Sequence, residues 1–300
     1  MTKLHVNCHY CSAILSLLFL LLVWLPISAQ QPDISQLVYS VEGKEAAYPR
    51  LSKDHSKILY QGNTTGRWQL YIMDRTTKQH TPVFSSHFND NFPDWNDDNQ
   101  WIAFTSDRDG NEEIYMIHAD GSGLKRITND PGRDIHPYFS PDGKYLLFNS
   151  TRGNESFDIF RYTIASGELR QLSATLQNET CARYSPDMTQ IVYLKNDETS
   201  DDVFIADSLN QNPVNLTNDA LITDGWPMFS YDNKKIFWSS MENGVYCIYS
   251  MNKDGSSKTR HTNADLNEDD ARVSVSRDNT FFIYNKQKGR TIEIREMKMG

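Results

Sequence analysis

The sequence predicts an all-β fold: a six-bladed β-propeller of four-stranded blades, closed by an N-terminal strand that completes the last blade. Three observations carry this. A short motif recurs six times at intervals of 44 to 46 residues, each copy leads into short β-rich runs, and the copies fill the chain from about residue 46 to its end. A unit of that length is one propeller blade, which cannot bury its faces alone and stacks on its neighbours.

The blocks Tyr48-Pro-Arg-Leu-Ser-Lys-Asp54, Phe92-Pro-Asp-Trp-Asn-Asp-Asp98, His136-Pro-Tyr-Phe-Ser-Pro-Asp142, Cys181-Ala-Arg-Tyr-Ser-Pro-Asp187, Trp226-Pro-Met-Phe-Ser-Tyr-Asp232 and Arg272-Val-Ser-Val-Ser-Arg-Asp278 align without gaps. Each ends in a hairpin turn, clearest in Ser140-Pro-Asp-Gly-Lys144, where Pro141 presets a torsion, Asp142 bonds nearby amides and Gly143 takes a positive φ. The next residue is Asn99, Gly143, Asn233 or Asn279 in four copies, types that tolerate the left-handed region; His55 and Met188 fit that rule poorly.

After each turn comes a β-rich run: Ile58–Tyr60, Trp101–Phe104, Tyr145–Phe148, Ile191–Leu194, Ile236–Trp238 and Phe281–Tyr284. Runs this short, bounded by turn residues, are strands. A third strand follows at Leu70–Ile72, Ile114–Ile117, Ile159–Tyr162, Val203–Ile205, Cys247–Tyr249 and Ile292–Ile294. More polar fourth strands near Thr81–Phe84, Lys125–Thr128, Arg170–Ser173, Val214–Thr217 and Thr259–Thr262 suit an outer edge facing water. The sixth unit lacks one, and the unpartnered segment Gln36–Ser40 can supply it and fasten first blade to last.

Ahead of the repeats, Lys3 precedes a largely apolar stretch from Ala13 to Leu25 and then Pro26, Ile27, Ser28 and Ala29. This reads as a secretory signal peptide over residues 1–29, leaving residues 30–300 as the propeller; an uncleaved anchor is the rival reading. Of four cysteines, only Cys181 and Cys247 follow the leader, too few for a disulfide framework. The formal charge of −9 argues against nucleic acid and anionic lipid as partners and toward basic or neutral ones.

The stretches Ser106-Asp-Arg-Asp-Gly-Asn-Glu-Glu-Ile-Tyr115, Ala119-Asp-Gly-Ser-Gly-Leu-Lys-Arg-Ile-Thr128 and His136-Pro-Tyr-Phe-Ser-Pro-Asp-Gly-Lys144 closely resemble the WD-like propeller repeats of the TolB family. That resemblance implies an exported, periplasmic, non-catalytic protein-binding module of the Tol-Pal cell-envelope system, with a peptidoglycan-associated lipoprotein or another envelope protein as partner and no cofactor. The N-terminal α/β domain of that family finds no room between Gln30 and Ala46, so a propeller-only relative is expected. Similar repeats occur in peptidase propellers and in a seven-bladed pectin-degrading lyase with a metal site. The alternative function is therefore a carbohydrate-binding protein or a lyase- or hydrolase-type enzyme working in the channel mouth. None of the common hydrolase, zinc-peptidase or nucleotide motifs is present, and no catalytic residue is assigned.

Six residues before the turn Ser or Asn stand Asp90, Asp134, Glu179, Asp224 and Asp270. Placed ahead of the innermost strand, they either circle one channel mouth, where a divalent cation or a basic segment could bind, or hold the backbone of the loops entering those strands. Two residues on, the series Tyr48, Phe92, His136, Cys181, Trp226 and Arg272 breaks the repeat, which marks Tyr48, His136, Trp226 and Arg272 as candidates for partner recognition. The turn residues Asp54, Asp98, Asp142, Asp187, Asp232 and Asp278 are assigned to structure. Replacing Asp142 by Ala is expected to cost about 1 kcal/mol of stability and leave binding untouched; an unchanged melting curve would contradict the assignment.

Overall fold

The first strand of each repeat begins at the recurring acid or just before it: Glu45–Leu51, Asp90–Trp95, Asp134–Phe139, Glu179–Tyr184, Thr223–Phe229 and Glu268–Val275. Each pairs antiparallel with a second strand, and the second with a third. These strands belong to a computed structural model that describes residues 35–40, 45–153, 155–196 and 199–299. The leader expected over residues 1–29 lies outside the described residues.

First strands of successive units touch one another in order, and the sixth touches the first. They therefore form an inner ring, with the other strands stepping outward. The fold is an all-β propeller. Core packing lies between units: Leu59 and Leu70 of the first bury against Trp95, Ile102 and Phe104 of the second. Burying one side chain of that size contributes about 1.5–3 kcal/mol.

Sheet pairing departs in one respect from six separate blades. The middle four units are separate four-stranded sheets, but the last unit, the first unit and Gln36–Tyr39 together make one eight-stranded sheet. The link is a single parallel pair, Glu45 with Ile292, where the first unit's inner strand approaches the third strand of the last. Gln36–Tyr39 lies antiparallel on that same third strand, with Gln36 opposite Glu296. The Ser35 hydroxyl accepts a hydrogen bond from Arg295 at 2.8 Å, fixing the added strand's end.

Every first strand carries a bulge at the same place, where register slips between Ala47 and Arg50, Asn91 and Asp94, Ile135 and Tyr138, Thr180 and Arg183, Gly225 and Met228, and Ala271 and Ser274. Its leading residue is left-handed in all six: Tyr48, Phe92, His136, Cys181, Trp226 and Arg272 have φ between 49° and 59°. Proline follows in four units (Pro49, Pro93, Pro137, Pro227), which suits a position with no ladder bond to donate.

In four units the displaced amide of the bulge is captured by a side chain on the second strand of the preceding unit. The Phe92 amide donates to Gln61 Oε1 at 2.6 Å, Cys181 to Asn149 Oδ1 at 3.0 Å, Arg272 to Ser239 Oγ at 3.2 Å and Tyr48 to Asn285 Oδ1 at 2.9 Å. The last bond closes the ring, and Asn285 adds a second by donating to the Ala46 carbonyl at 2.7 Å.

The turns are stitched similarly. Asn99 accepts from the Lys53 amide and Asn279 from the Tyr231 amide, both at 2.8 Å. His55 and Met188, the two residues that fit the turn rule poorly, are left-handed all the same, at φ 60° and 63°. His55 is held there by accepting the Arg277 amide on Nε2 at 2.9 Å, a bond between the last and first units. Met188 is held by packing against the cluster of Tyr184 and Ile191.

Replacing Asn285 by Ala strands a buried amide and a buried carbonyl at the closure. The expected loss is about 2–3 kcal/mol in urea unfolding, well above that of a surface Asn→Ala control such as Asn252→Ala.

Candidate functional site

A left-handed residue in an otherwise extended strand turns its side chain toward the propeller axis, and there the six variable side chains meet. The rings of Tyr48 and Phe92 lie 4.9 Å apart, Phe92 and His136 4.0 Å, and His136 Nδ1 is 3.7 Å from Cys181 Sγ. The Arg272 guanidinium stacks over Trp226 at 4.3 Å and over Tyr48 at 4.6 Å. Tyr48, His136, Trp226 and Arg272 are thus brought together in a plug across the channel, with Tyr48 and Cys181 buried and His136, Trp226 and Arg272 half-buried.

A thiol beside an imidazole has the look of a nucleophile and its base. Burial works against that chemistry. It raises the Cys181 thiol to about 11, and burial together with Arg272 and Arg50 lowers His136 to about 3, so both are neutral at pH 7. Cys247, the other thiol of the repeats, is buried in a different unit, where Arg260 donates to its sulfur at 2.9 Å.

The five recurrent acids are all buried, and four are ion-paired within their own unit. Arg108 binds Asp90 at 2.7 Å, Arg152 binds Asp134 at 2.5 Å, Lys195 lies 3.2 Å from Glu179 and Lys286 3.3 Å from Asp270. Asp224 instead accepts from Trp238 Nε1 at 3.0 Å and Ser240 Oγ at 2.7 Å, while its Oδ2 has no partner. The cations come from the second strand or the loop after it, so each acid anchors a hairpin end. Among the described residues, no three His, Cys, Asp or Glu side chains converge as metal ligands.

A second layer of buried acids escaped the sequence reading. Glu113 accepts from Thr128 Oγ1 at 2.5 Å and Arg126 at 3.0 Å, Asp158 from Gln171 at 3.1 Å, and Asp202 from Asn215 at 2.7 Å. These hold the short fourth strands, and their signal was an acid directly ahead of the apolar third-strand run in three of the six units. The turn aspartates behave alike: the hydroxyls of Ser52, Ser140, Ser185, Ser230 and Ser276 donate at 2.6–2.7 Å to Asp54, Asp142, Asp187, Asp232 and Asp278, and Asp98 accepts the Gln100 amide at 2.8 Å. Those hydroxyls hold Asp54, Asp187 and Asp278 near 2.

On the turn side of the plug the channel reopens as a cavity of about 110 Å³. Arg50, Asp94, Tyr138 and Arg183 line it, each two residues beyond a plug position. Arg50 Nε lies 3.4 Å from Asp94, and Arg183 stacks on the Tyr138 ring at 3.9 Å. Burial raises the Asp94 carboxyl against the pull of both guanidiniums. No sequence expectation named these residues. The signal was present, since the column Arg50, Asp94, Tyr138, Arg183, Met228, Ser274 breaks the repeat as sharply as the plug column.

A sequence profile described as the TolB beta propeller domain matches residues 30–198. A protein named TolB homolog from Chlorobium luteolum is 31% identical over 123 residues, 41% of this chain and 27% of that protein. The crystal structure of TolB from Acinetobacter baumannii superimposes with a TM-score of 0.64 at 26% identity, over 72% of this chain and 53% of that one. A candidate TolB from Agrobacterium tumefaciens gives 0.66 at 18%, over 85% and 91%. The chain thus spans about a quarter of the first relative and about half of the solved Acinetobacter protein. Solved propellers of a lyase and of peptidases share the fold, which by itself fixes no activity.

Desolvation raises the Asp224 carboxyl from its ordinary 3.8 to about 6. Below pH 3.8 it is protonated folded or unfolded and costs nothing; above pH 6 it is ionised in both, and its buried charge destabilises by up to about 3 kcal/mol. Asp224→Asn keeps the acceptor for Trp238 and Ser240, so its melting temperature relative to wild type is expected to rise from about pH 4 to about pH 6 and to level off above. An offset independent of pH would show that the carboxyl titrates normally.

Proposed function

We propose, from the premise that this chain belongs to the TolB beta propeller domain family, that it is an exported, non-catalytic protein-binding module of the periplasm or cell envelope. Residues 1–29 serve as its secretion signal and residues 30–300 as the working propeller. Counting the eight-stranded sheet as two blades joined at Glu45 and Ile292 makes six blades, in keeping with the six first strands of the inner ring.

The observation that carries a binding role is on the loops leading into the first strands. Leu176 and Leu221 are 94% exposed and Leu266 78%. They occupy matching loops of three successive units, between Leu169–Gln171 and Glu179–Tyr184, Val214–Asn215 and Thr223–Phe229, and Thr259–Arg260 and Glu268–Val275. A lone exposed leucine needs no explanation, but three in matching loops of successive units offer a partner apolar side chains on the same face. The partner class is an envelope protein, a peptidoglycan-associated lipoprotein among them. The alternative of a channel-mouth enzyme or carbohydrate binder using a divalent cation draws no support from acids already paired within their own units.

The test is affinity capture from detergent-solubilised envelope with wild type and with Leu176→Ser, Leu221→Ser and Leu266→Ser combined. The triple variant is expected to melt like wild type and retain at least tenfold less partner. Equal retention would remove this face from the proposal, and capture of no protein by wild type would remove the binding role itself.

A further inference from the structure

The cavity on the turn side carries a charge opposite to that of the chain. Two guanidiniums, Arg50 and Arg183, face one carboxylate, Asp94, and at the rim Arg277 and Lys53 share Asp97. A chain of formal charge −9 therefore presents, at this one mouth, an excess of two positive charges.

Hydrogen bonding there is incomplete, and what is missing is acceptors. Arg50, 4% exposed, gives Nη1 to the Pro49 carbonyl at 3.0 Å and keeps Nε without a hydrogen bond. Arg183 Nε is also without a hydrogen bond, and the buried Tyr138 hydroxyl, whose oxygen faces the Arg183 guanidinium, has no acceptor for its own proton. One Asp94 oxygen, Oδ2, is spent on the Phe139 amide at 3.0 Å. Donors left unpaired in a buried site are costly, and both guanidiniums can only donate, so the complementary ligand is an acceptor-only anion with planar, paired oxygens. That describes a carboxylate. The cavity's size admits a carboxylate with one or two carbons behind it, since a water alone takes about 30 Å³. Met228 and Phe229 supply an apolar wall for those carbons.

We propose that the turn-side cavity is a carboxylate-binding site, which takes a chain-terminal or side-chain carboxylate of a peptide between Arg50, Arg183 and the Tyr138 hydroxyl. It lies at the opposite end of the first strands from the leucine loops. It rests on the protein-binding reading only for the source of the carboxylate. The net charge of the chain points toward basic partners; the local field at this mouth selects an acidic one.

Calorimetric titration of the whole protein tests this with four probes: N-acetyl-trialanine, its C-terminal amide, an amidated N-acetyl peptide with one internal glutamate, and inorganic phosphate. Saturable binding is expected for the free acid, with at least tenfold weaker binding of its amide; binding of the glutamate peptide instead would assign the site to a side chain. Arg183→Gln is expected to lose tenfold or more, and Tyr138→Phe, which keeps the ring under Arg183, severalfold. Absence of binding by both carboxylates at about 10 mM, equal binding of acid and amide, tighter binding of phosphate, or affinity unchanged in both variants would overturn the proposal. Because the probes are free peptides, such a failure leaves partner capture by the leucine loops standing, and loss of that capture leaves this titration standing.

Discussion

Tyr48, Phe92, His136, Cys181, Trp226 and Arg272 each sit in a conformation that costs an L-residue roughly 1–2 kcal/mol, and much of the rest of the propeller follows from how that cost is offset. The bulge frees one amide per first strand, and in four units it is captured across the gap by Gln61, Asn149, Ser239 or Asn285 of the unit before. A strained backbone position thereby becomes a bond between units. The same kink sends one side chain to the axis, where six of them pack into a plug, and aims the residue two further on into the cavity below. Without it the first strands would alternate regularly, and neither plug nor cavity would have its present lining.

Closure uses these devices in parallel. Where the last unit meets the first, Asn285 bonds both Ala46 and Tyr48, His55 accepts the Arg277 amide, Gln36–Tyr39 adds a strand, and Glu45 pairs with Ile292. Only the last two are specific to this seam, and they merge its two units into one sheet. The extra pairing stands where a ring built from a linear chain has no covalent continuity between neighbours, so stability lost there opens the whole ring.

The spacing of the turn aspartates made the units legible, and apolar runs between turn signals placed nearly every strand. The unpartnered segment at Gln36 even foretold the added strand. What the sequence hid was direction. An acid repeated in five of six units has the same pattern whether it faces a channel or a hairpin, and it is the cations opposite, Arg108, Arg152, Lys195 and Lys286, that tie four of them to their hairpins. The bulge hid the cavity, because a one-residue insertion shifts which positions share a face. His55 and Met188 were misfits to the turn rule because their left-handed backbone is held by a contact from another unit and by packing, neither of which is local.

In a repeat protein the positions that recur are those the architecture consumes: the turn aspartates and the first-strand acids. What remains free to specialise are columns whose members differ. Here there are two at the axis, and they have diverged in different ways. The plug column is spent on itself, with Arg272 stacked between Trp226 and Tyr48 and His136 wedged between Phe92 and Cys181. In the column below it, two arginines and a tyrosine retain donors without acceptors around space large enough for a few atoms. Buried polar atoms without a hydrogen bond occur elsewhere among the described residues, Arg272 Nε and Asp224 Oδ2 among them, but around this cavity they adjoin space that a few ligand atoms can enter, and there interaction energy is left to offer.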